Sequence, residues 1–285
     1  MAAGNSVWAA AKVIHSERSL YRNILVTEEY SRRCLQFSVK RDQRSQSCIN
    51  LNNPGQMVFT YTKMMMASLL LGPNPKRILI IGLGGGTLPM ALAQLLPDSE
   101  ITVVEIDAAV VRVAEEFFQF KPSKKISVVV QDARVFGKRA IMKNLKYDLV
   151  MLDAYNGDYI PEHLLSKEYL EECKALLSSS GILVANTFSI SRLYHYESAT
   201  YGAVFNNLLN FKSRKSSNRI LIASIQELPT LKTMQETAKS LKAQLKPFDI
   251  PIQKYPRQLD SKPDWNTDTP PLTDQYSPAN LLNSG

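Results

Sequence analysis

The sequence predicts an α/β fold, in which helices cover both faces of a mostly parallel sheet and a small N-terminal β-domain precedes that sheet. Three observations lead to this prediction. From residue 77 onward, apolar strand-like runs alternate with helical stretches of roughly 10–15 residues. The first of these strands leads directly into a cluster of glycines. Residues 1–55, by contrast, contain alternating or apolar runs that are typical of β-strands.

Composition limits the class of protein. The chain has 285 residues with 45% hydrophobic content, enough to bury a large core. No apolar run approaches the ~20 residues that span a membrane, and the first residues do not resemble a signal peptide. The three cysteines have no metal-type or redox-type spacing, and their odd number favours a reducing compartment. We therefore expect a cytoplasmic protein with no membrane contact and no metal site.

The net charge of +8 raises the question of an anionic partner. Much of the excess is local, in Lys121, Lys124, Lys125, Lys138, Arg139, Lys143, Lys146, Lys212, Arg214, Lys215 and Arg219. Most of these residues flank predicted strands and helices, and no aromatic residues interleave with them to stack bases. A solvated basic face is the favoured interpretation, although the charge alone leaves a nucleic-acid partner open.

The N-terminal β-domain is predicted from two runs, residues 19–28 and 34–39, which are separated by polar turn-like segments. Asn52-Asn-Pro-Gly closes the region as a turn. Residues 56–71 then show helical spacing and lead into the first strand of the main sheet.

A strand, a glycine turn, a helix and a second strand follow in order. The first strand is Ile78–Ile81, and the second is Ile101–Val104, which ends at Glu105. The glycines between them, Gly82, Gly84, Gly85 and Gly86, allow a sharp turn and a close ligand approach. An acid at the end of the second strand can accept hydrogen bonds from both hydroxyls of a ribose. We therefore predict an adenosine-containing ligand.

The next two strands also end in carboxylates. Residues 126–130 precede Asp132, which either reads the exocyclic amine of an adenine or caps the following helix. Residues 147–152 precede Asp153, which either accepts a proton from an attacking amine or caps the segment before Pro161. Asp158 lies close in sequence and could orient a second ammonium group. These acids meet at the sheet edge where open α/β folds bind ligands.

The remaining chain continues the alternation. We predict helices at about 167–177, 197–209 and 230–245 and strands at 182–185 and 219–224. The last 40 or so residues are richer in proline and polar residues, and we expect an extended tail over the ligand edge of the sheet. The expected parts are a β-domain at 1–55, a nucleoside-binding catalytic domain at 56–245 and the tail at 246–285.

Several motifs together resemble the spermidine synthase family. They include Ile-Ile-Gly-Leu-Gly-Gly-Gly-Thr-Leu-Pro, Val-Val-Glu-Ile-Asp, Val-Gln-Asp-Ala, Tyr-Asp-Leu-Val-Met-Leu-Asp and Leu-Thr-Asp-Gln-Tyr-Ser-Pro. The resemblance implies a Rossmann-like sheet of the class I S-adenosylmethionine-dependent transferases. It also implies aminopropyl transfer from decarboxylated S-adenosylmethionine to putrescine or a related amine, and a homodimer formed through the N-terminal strands. Glu105 would bind the ribose, Asp132 and Ala133 the adenine end, and Asp153 would accept the proton.

The chain departs from the family pattern at four positions. Gly85 stands where the family has an aspartate that holds the donor's ammonium group, and the residues Arg22, Thr62 and Asn156 also differ. Arg22 could instead pair with the carboxylate of intact S-adenosylmethionine. The departures leave three functions open: aminopropyl transfer, methyl transfer to a protein or another acceptor, and nucleoside binding without catalysis.

Overall fold

The computed structural model describes residues 11–38, 45–155 and 160–277. The N-terminal part forms a four-stranded antiparallel sheet in the order β1-β2-β3-β4. Its strands are β1 (Lys12–Arg18), β2 (Asn23–Glu29), β3 (Arg32–Ser38) and β4 (Ser45–Asn50). The sequence indicates only the two central strands, because the outer two carry more polar residues and less apolar alternation.

A disulfide bond joins two strands of this sheet. Cys34 on β3 and Cys48 on β4 are direct cross-strand partners, with a Cα–Cα distance of 4.1 Å, and Cys173 is free and buried. The inference of a reducing compartment from the cysteine count is therefore not supported. Antiparallel pairing brings together two residues whose sequence spacing gives no sign of it.

The main sheet has eight strands among the described residues, in the order β12-β10-β11-β9-β8-β5-β6-β7. They are β5 (Arg77–Ile81), β6 (Glu100–Glu105), β7 (Ile126–Val130), β8 (Tyr147–Leu152), β9 (Leu177–Phe188), β10 (Asn207–Lys212), β11 (Asn218–Ser224) and β12 (Leu259–Asp260). Strands β5 to β9 pair in parallel, and β10, β11 and β12 pair antiparallel. The predicted α/β fold class is confirmed, with an antiparallel extension at one edge.

The helices are α1 (Thr60–Met65), α2 (Thr87–Leu95), α3 (Ala108–Phe117), α4 (Ala133–Met142), α5 (Lys167–Leu176), α6 (Tyr194–Val204) and α7 (Leu231–Leu245). Polar side chains accept hydrogen bonds from the first turns of four of them: Asp107 at α3, Asp132 at α4, Ser166 at α5 and Thr230 at α7. Within the described ranges, no helix combines the length and apolar character needed to cross a membrane.

The two faces of the main sheet are covered by different helices. Helices α1, α2 and α7 pack against one face, which includes Ile80 and Val103. Helices α4, α5 and α6 pack against the other, which includes Leu79 and Val150. Helix α3 also packs against the N-terminal sheet, since Val110 and other apolar residues of α3 share a buried cluster with that sheet. This contact holds the small sheet over the ends of β5 and β6.

The predicted helix over 197–209 is wrong in its second half. Helix α6 ends at Val204, and residues 207–212 form β10. Leu208 and Leu209 are apolar and fit either structure locally. These residues form a strand because they pair with β11 on one side and with β12 on the other. Strand β9 is also longer than predicted, because the Ser-Ser-Ser-Gly segment before residue 182 belongs to it.

Residues 246–277 follow the edge of the sheet and then the helical layer. Two short 3₁₀ helices, Lys246–Phe248 and Ile252–Lys254, precede β12 at the sheet edge. Further on, Leu272 is buried against Leu165 and Leu193. The described part of this segment thus has short elements of its own where the sequence indicates only an extended tail.

Candidate active site

A cavity of about 270 Å³ lies at the carboxyl ends of the parallel strands, beneath the N-terminal sheet. Its walls come from both sheets and from α1, and they include Tyr21, Arg22, Phe37, Gln46, Ser47, Tyr61, Gly82, Gly84, Thr87, Glu105, Asp132, Ala133, Asp153, Tyr155 and His163. Open α/β sheets bind ligands at this position. Of the nine predicted site residues that the structure describes, seven line the cavity, and Gly85 and Gly86 do not.

The glycines of the β5–α2 loop have two different roles. Gly82 has a φ of 95°, and a Cβ there would lie 2.3 Å from the carbonyl oxygen of Asp153. Only glycine lets the ends of β5 and β8 approach this closely. Gly82 and Gly84 line the cavity, whereas Gly85 and Gly86 lie behind it. A Cβ on Gly85 would lie 2.8 Å from the Ser47 hydroxyl, and one on Gly86 would lie 2.5 Å from the Phe120 ring.

Glu105 is held rigidly at the end of β6. One carboxylate oxygen accepts a hydrogen bond from the Leu83 backbone N–H and the other from the Asp107 backbone N–H, both at 3.0 Å. Burial raises the pKa of Glu105, and these two amides oppose the rise. A carboxylate oxygen has more than one lone pair, so Glu105 can still accept from the hydroxyls of a bound ribose.

Asp132 fulfils the predicted capping role and keeps one oxygen at the cavity. Its Oδ1 accepts a hydrogen bond from the Val135 N–H at 2.9 Å, which starts α4. Its Oδ2 lies 3.1 Å from Nε2 of His163, which also lines the cavity. The sequence reasoning missed His163, because it lies in a segment without a recognisable motif. Capping and ligand binding are compatible for Asp132, since each role uses a different oxygen.

Asp153 lies directly after β8 and receives two hydrogen bonds from other side chains. The Asn186 amide donates to Oδ1 at 2.8 Å, and the Tyr61 hydroxyl donates to Oδ2 at 3.4 Å. Burial raises the pKa of Asp153 to about 7, although both hydrogen bonds lower it. A carboxylate with such a pKa can accept a proton at neutral pH and later release it to water.

The sequence reasoning did not assign a role to Asn186. This residue follows Ala185 on β9, which is the parallel partner of Leu152 on β8. Asn186 is therefore brought alongside Asp153. The Asn218 amide donates to the Asn186 side-chain oxygen at 2.9 Å and fixes which end of the Asn186 amide faces Asp153. The sequence did offer one signal for Asn186, because it is a polar residue that directly follows the apolar run 182–185.

Arg22 reaches the cavity from the N-terminal sheet. Its Nη1 donates to the Tyr155 carbonyl oxygen at 3.1 Å, and its guanidinium carbon lies 4.2 Å from the centre of the Phe37 ring. Nε lies 3.8 Å from Asp107, beyond hydrogen-bond distance. The structure thus brings Arg22 to the same cavity as Glu105 and Asp153. Asp158 and Asn156 lie outside the described residues.

The described residues contain no group of three or more histidine, cysteine or acidic side chains able to hold a metal ion. The cavity is lined by acids and lies on a sheet of the type that binds nucleosides, and Asp153 is a carboxylate suited to accept a proton. These features are typical of transferases whose donor contains a nucleoside.

Comparisons with known proteins identify the family. The family model described as Spermine/spermidine synthase domain matches residues 58–211. A polyamine aminopropyltransferase of Vibrio vulnificus is 48% identical over 272 residues, covering 95% of this chain and 91% of that protein. The chain belongs to the spermine/spermidine synthase family, as its motifs predict, and is a transferase.

Two solved structures agree with this fold. A probable spermidine synthase from Corynebacterium glutamicum has a TM-score of 0.67 at 20% identity, covering 90% of this chain and 98% of that chain. Human methyltransferase-like protein 13 in complex with SAH has a TM-score of 0.62 at 25% identity, covering 66% of this chain and 93% of that chain. The same fold is therefore found in proteins that are named for two different transfer reactions.

Proposed function

We propose that this protein transfers an aminopropyl group from decarboxylated S-adenosylmethionine to putrescine or a related amine. The observation that supports this most is the position of Asp153 in the cavity, between Tyr61 and Asn186 and with a pKa of about 7. The family relationship supports the same reaction, because the Vibrio vulnificus relative is named a polyamine aminopropyltransferase.

In the proposed reaction, the acceptor amine attacks the propyl carbon bonded to the sulfonium sulfur. The carbon–sulfur bond breaks, its electron pair neutralises the sulfur, and 5′-methylthioadenosine leaves. Asp153 takes the proton that the amine nitrogen loses. Because the sulfonium is already a good leaving group, alignment of the two reactants in the cavity supplies much of the rate.

We propose that the donor binds with its ribose on Glu105 and its adenine beside Asp132 and Ala133. Two backbone N–H groups hold the Glu105 carboxylate in place, and Oδ2 of Asp132 lies next to His163. Asp158 is proposed to orient the second ammonium of a diamine acceptor. A homodimer through the N-terminal strands and a cytoplasmic location stay predictions.

Substitution of Asp153 by asparagine tests the proposal. The new side-chain amide keeps an oxygen for the Asn186 amide but cannot accept a proton. We expect turnover to fall by about 10²-fold or more, while calorimetry shows unchanged binding of the decarboxylated donor. Asp98→Asn is the matched control, because the Asp98 side chain is 81% exposed and distant from the cavity. Unchanged turnover in Asp153→Asn would refute the role of Asp153 as the proton acceptor.

Methyl transfer from intact S-adenosylmethionine is the second candidate. It is favoured by Arg22, a guanidinium in the cavity that can pair with the carboxylate of that donor. The structural relative named as a methyltransferase is consistent with it. The nucleoside product separates the two reactions, since methyl transfer leaves S-adenosylhomocysteine and aminopropyl transfer leaves 5′-methylthioadenosine.

A further inference from the structure

Buried polar atoms without a hydrogen-bond partner collect at the cavity. Among the described residues, Nε of Arg22, the hydroxyl of Thr87 and the hydroxyl of Tyr155 are buried and unpartnered, and all three residues line the cavity wall. Folded proteins satisfy nearly all such atoms, so water or a ligand that enters the cavity would complete their hydrogen bonds. The two hydroxyls can donate or accept, whereas Nε of Arg22 can only donate, so the arginine is the group that favours a ligand with an acceptor oxygen.

Arg22 is the charged member of this set, and its surroundings fix its position. Its side chain is only 12% exposed, with Nη1 bonded to the Tyr155 carbonyl and the guanidinium stacked on Phe37. Asp107 forms an ion pair with Nε at 3.8 Å, but it makes its hydrogen bonds with the Ala109 N–H and the Ser19 hydroxyl. A held guanidinium with an unpaired N–H is suited to a carboxylate.

In the proposed function, each acid that lines the cavity already has another role: Glu105 at the ribose, Asp132 at the adenine and Asp153 as proton acceptor. Within the described ranges, no further acid lines the cavity. An acid at position 85 would not fit either, because a Cβ there would lie 2.8 Å from the Ser47 hydroxyl and 2.9 Å from the Phe118 ring. The packing around the β5–α2 loop therefore leaves no room for an acid at position 85.

We propose that the cavity also accepts intact S-adenosylmethionine, with its carboxylate on Arg22, and that the enzyme transfers the 3-amino-3-carboxypropyl group to its amine acceptor. This inference rests on the proposed function, because it uses the same nucleophile, the same attacked carbon and Asp153 as the proton acceptor. Compared with the proposed function, the inference adds S-adenosylmethionine as a second donor and a product that keeps the carboxylate of that donor.

The step balances without any further reactant. The amine nitrogen forms a bond to the methylene carbon next to sulfur, and the carbon–sulfur bond breaks with its electron pair going to sulfur. The amine proton passes to Asp153. The products are 5′-methylthioadenosine and an amine that carries the amino acid side chain, with the carboxylate unchanged throughout.

The test incubates the full chain with putrescine and either donor, and identifies both products by mass spectrometry. The carboxylated amine is the decisive product from S-adenosylmethionine, since only transfer to the acceptor makes it. We expect Arg22→Gln to lower kcat/KM for S-adenosylmethionine by about 10-fold or more, the loss of one charge-assisted pair. The loss with the decarboxylated donor should be several-fold smaller, because that donor has no carboxylate for Arg22 to pair with. Arg18→Gln, at the exposed end of β1, is the matched control and should change neither.

The outcomes separate this inference from the proposed function. Turnover of the decarboxylated donor alone would overturn the inference and leave the proposed function standing. S-adenosylhomocysteine from the intact donor would replace the inferred reaction with methyl transfer. Equal losses with both donors in Arg22→Gln would overturn the assignment of the carboxylate to Arg22. No turnover of either donor would refute both proposals.

Discussion

Asp153 is buried and is proposed to accept a proton. Its protonation should therefore change the free energy of unfolding with pH. Its pKa of about 7 in the folded protein exceeds its ordinary value of 3.8, because burial disfavours the charged form. The folded state thus binds this proton more tightly than the unfolded state. The associated stability is present at low pH and is lost as the pH rises through about 7.

This sign gives a prediction for Asp153→Asn, which has no charge to bury. The wild type should lose roughly 2–3 kcal/mol of its free energy of unfolding relative to this variant as the pH rises from 5 to 8. Chemical denaturation at both pH values measures the difference. Asp98→Asn should show no comparable change, because Asp98 is exposed to solvent. A difference between Asp153→Asn and wild type that is the same at pH 5 and pH 8 would contradict the raised pKa.

At the residue scale, the sequence predicts the acids better than their partners. Glu105, Asp132 and Asp153 follow apolar strands, and a strand end locates a side chain at one edge of the sheet. Asn186, Tyr61 and the environment of Arg22 depend instead on contacts between distant segments. The Arg22–Tyr155 bond, for example, joins two different parts of the fold.

At the element scale, the β5–α2 loop depends on glycine at Gly82. Alanine there would combine a φ of 95° with a Cβ that lies 2.3 Å from the Asp153 carbonyl oxygen. We expect Gly82→Ala to lower the free energy of unfolding by roughly 3 kcal/mol or more and to displace Asp153. Denaturant unfolding measures the loss.

Gly137→Ala is the control for this prediction. Gly137 lies within α4, and a Cβ there would make only an ordinary contact of 3.8 Å with Leu176. Helix propensity predicts a gain of up to about 1 kcal/mol for this change. If the two glycine substitutions had equal effects, the account of the loop would be wrong.

Elements with a strong period or a clear end signal were predictable from the sequence, and others were not. Strands β5 to β8 occur close to the predicted positions 78–81, 101–104, 126–130 and 147–152. Strand β10 was missed because its apolar residues suit a helix equally well, so that only pairing with β11 and β12 decides. Local propensity yields to tertiary context at such positions.

At the scale of the whole molecule, the site belongs to neither sheet alone. The main sheet supplies the carboxylates, and the N-terminal sheet supplies Arg22, Phe37 and Ser47 as the opposite wall. Helix α3 packs on both sheets, because Val110 lies in the apolar cluster of the N-terminal sheet and Ala114 lies in a cluster of the main sheet. Motifs along the chain could predict the fold and the family, but the closing wall depends on how the two sheets pack.

The measurement that tests the central claim most directly is the identity of the products formed from decarboxylated S-adenosylmethionine and putrescine. If Asp153 accepts the proton in aminopropyl transfer, the wild-type chain should form equal amounts of 5′-methylthioadenosine and spermidine, and Asp153→Asn should form both at a rate lower by about 10²-fold or more. Absence of both products from a folded wild-type protein that binds the donor would contradict the proposed function.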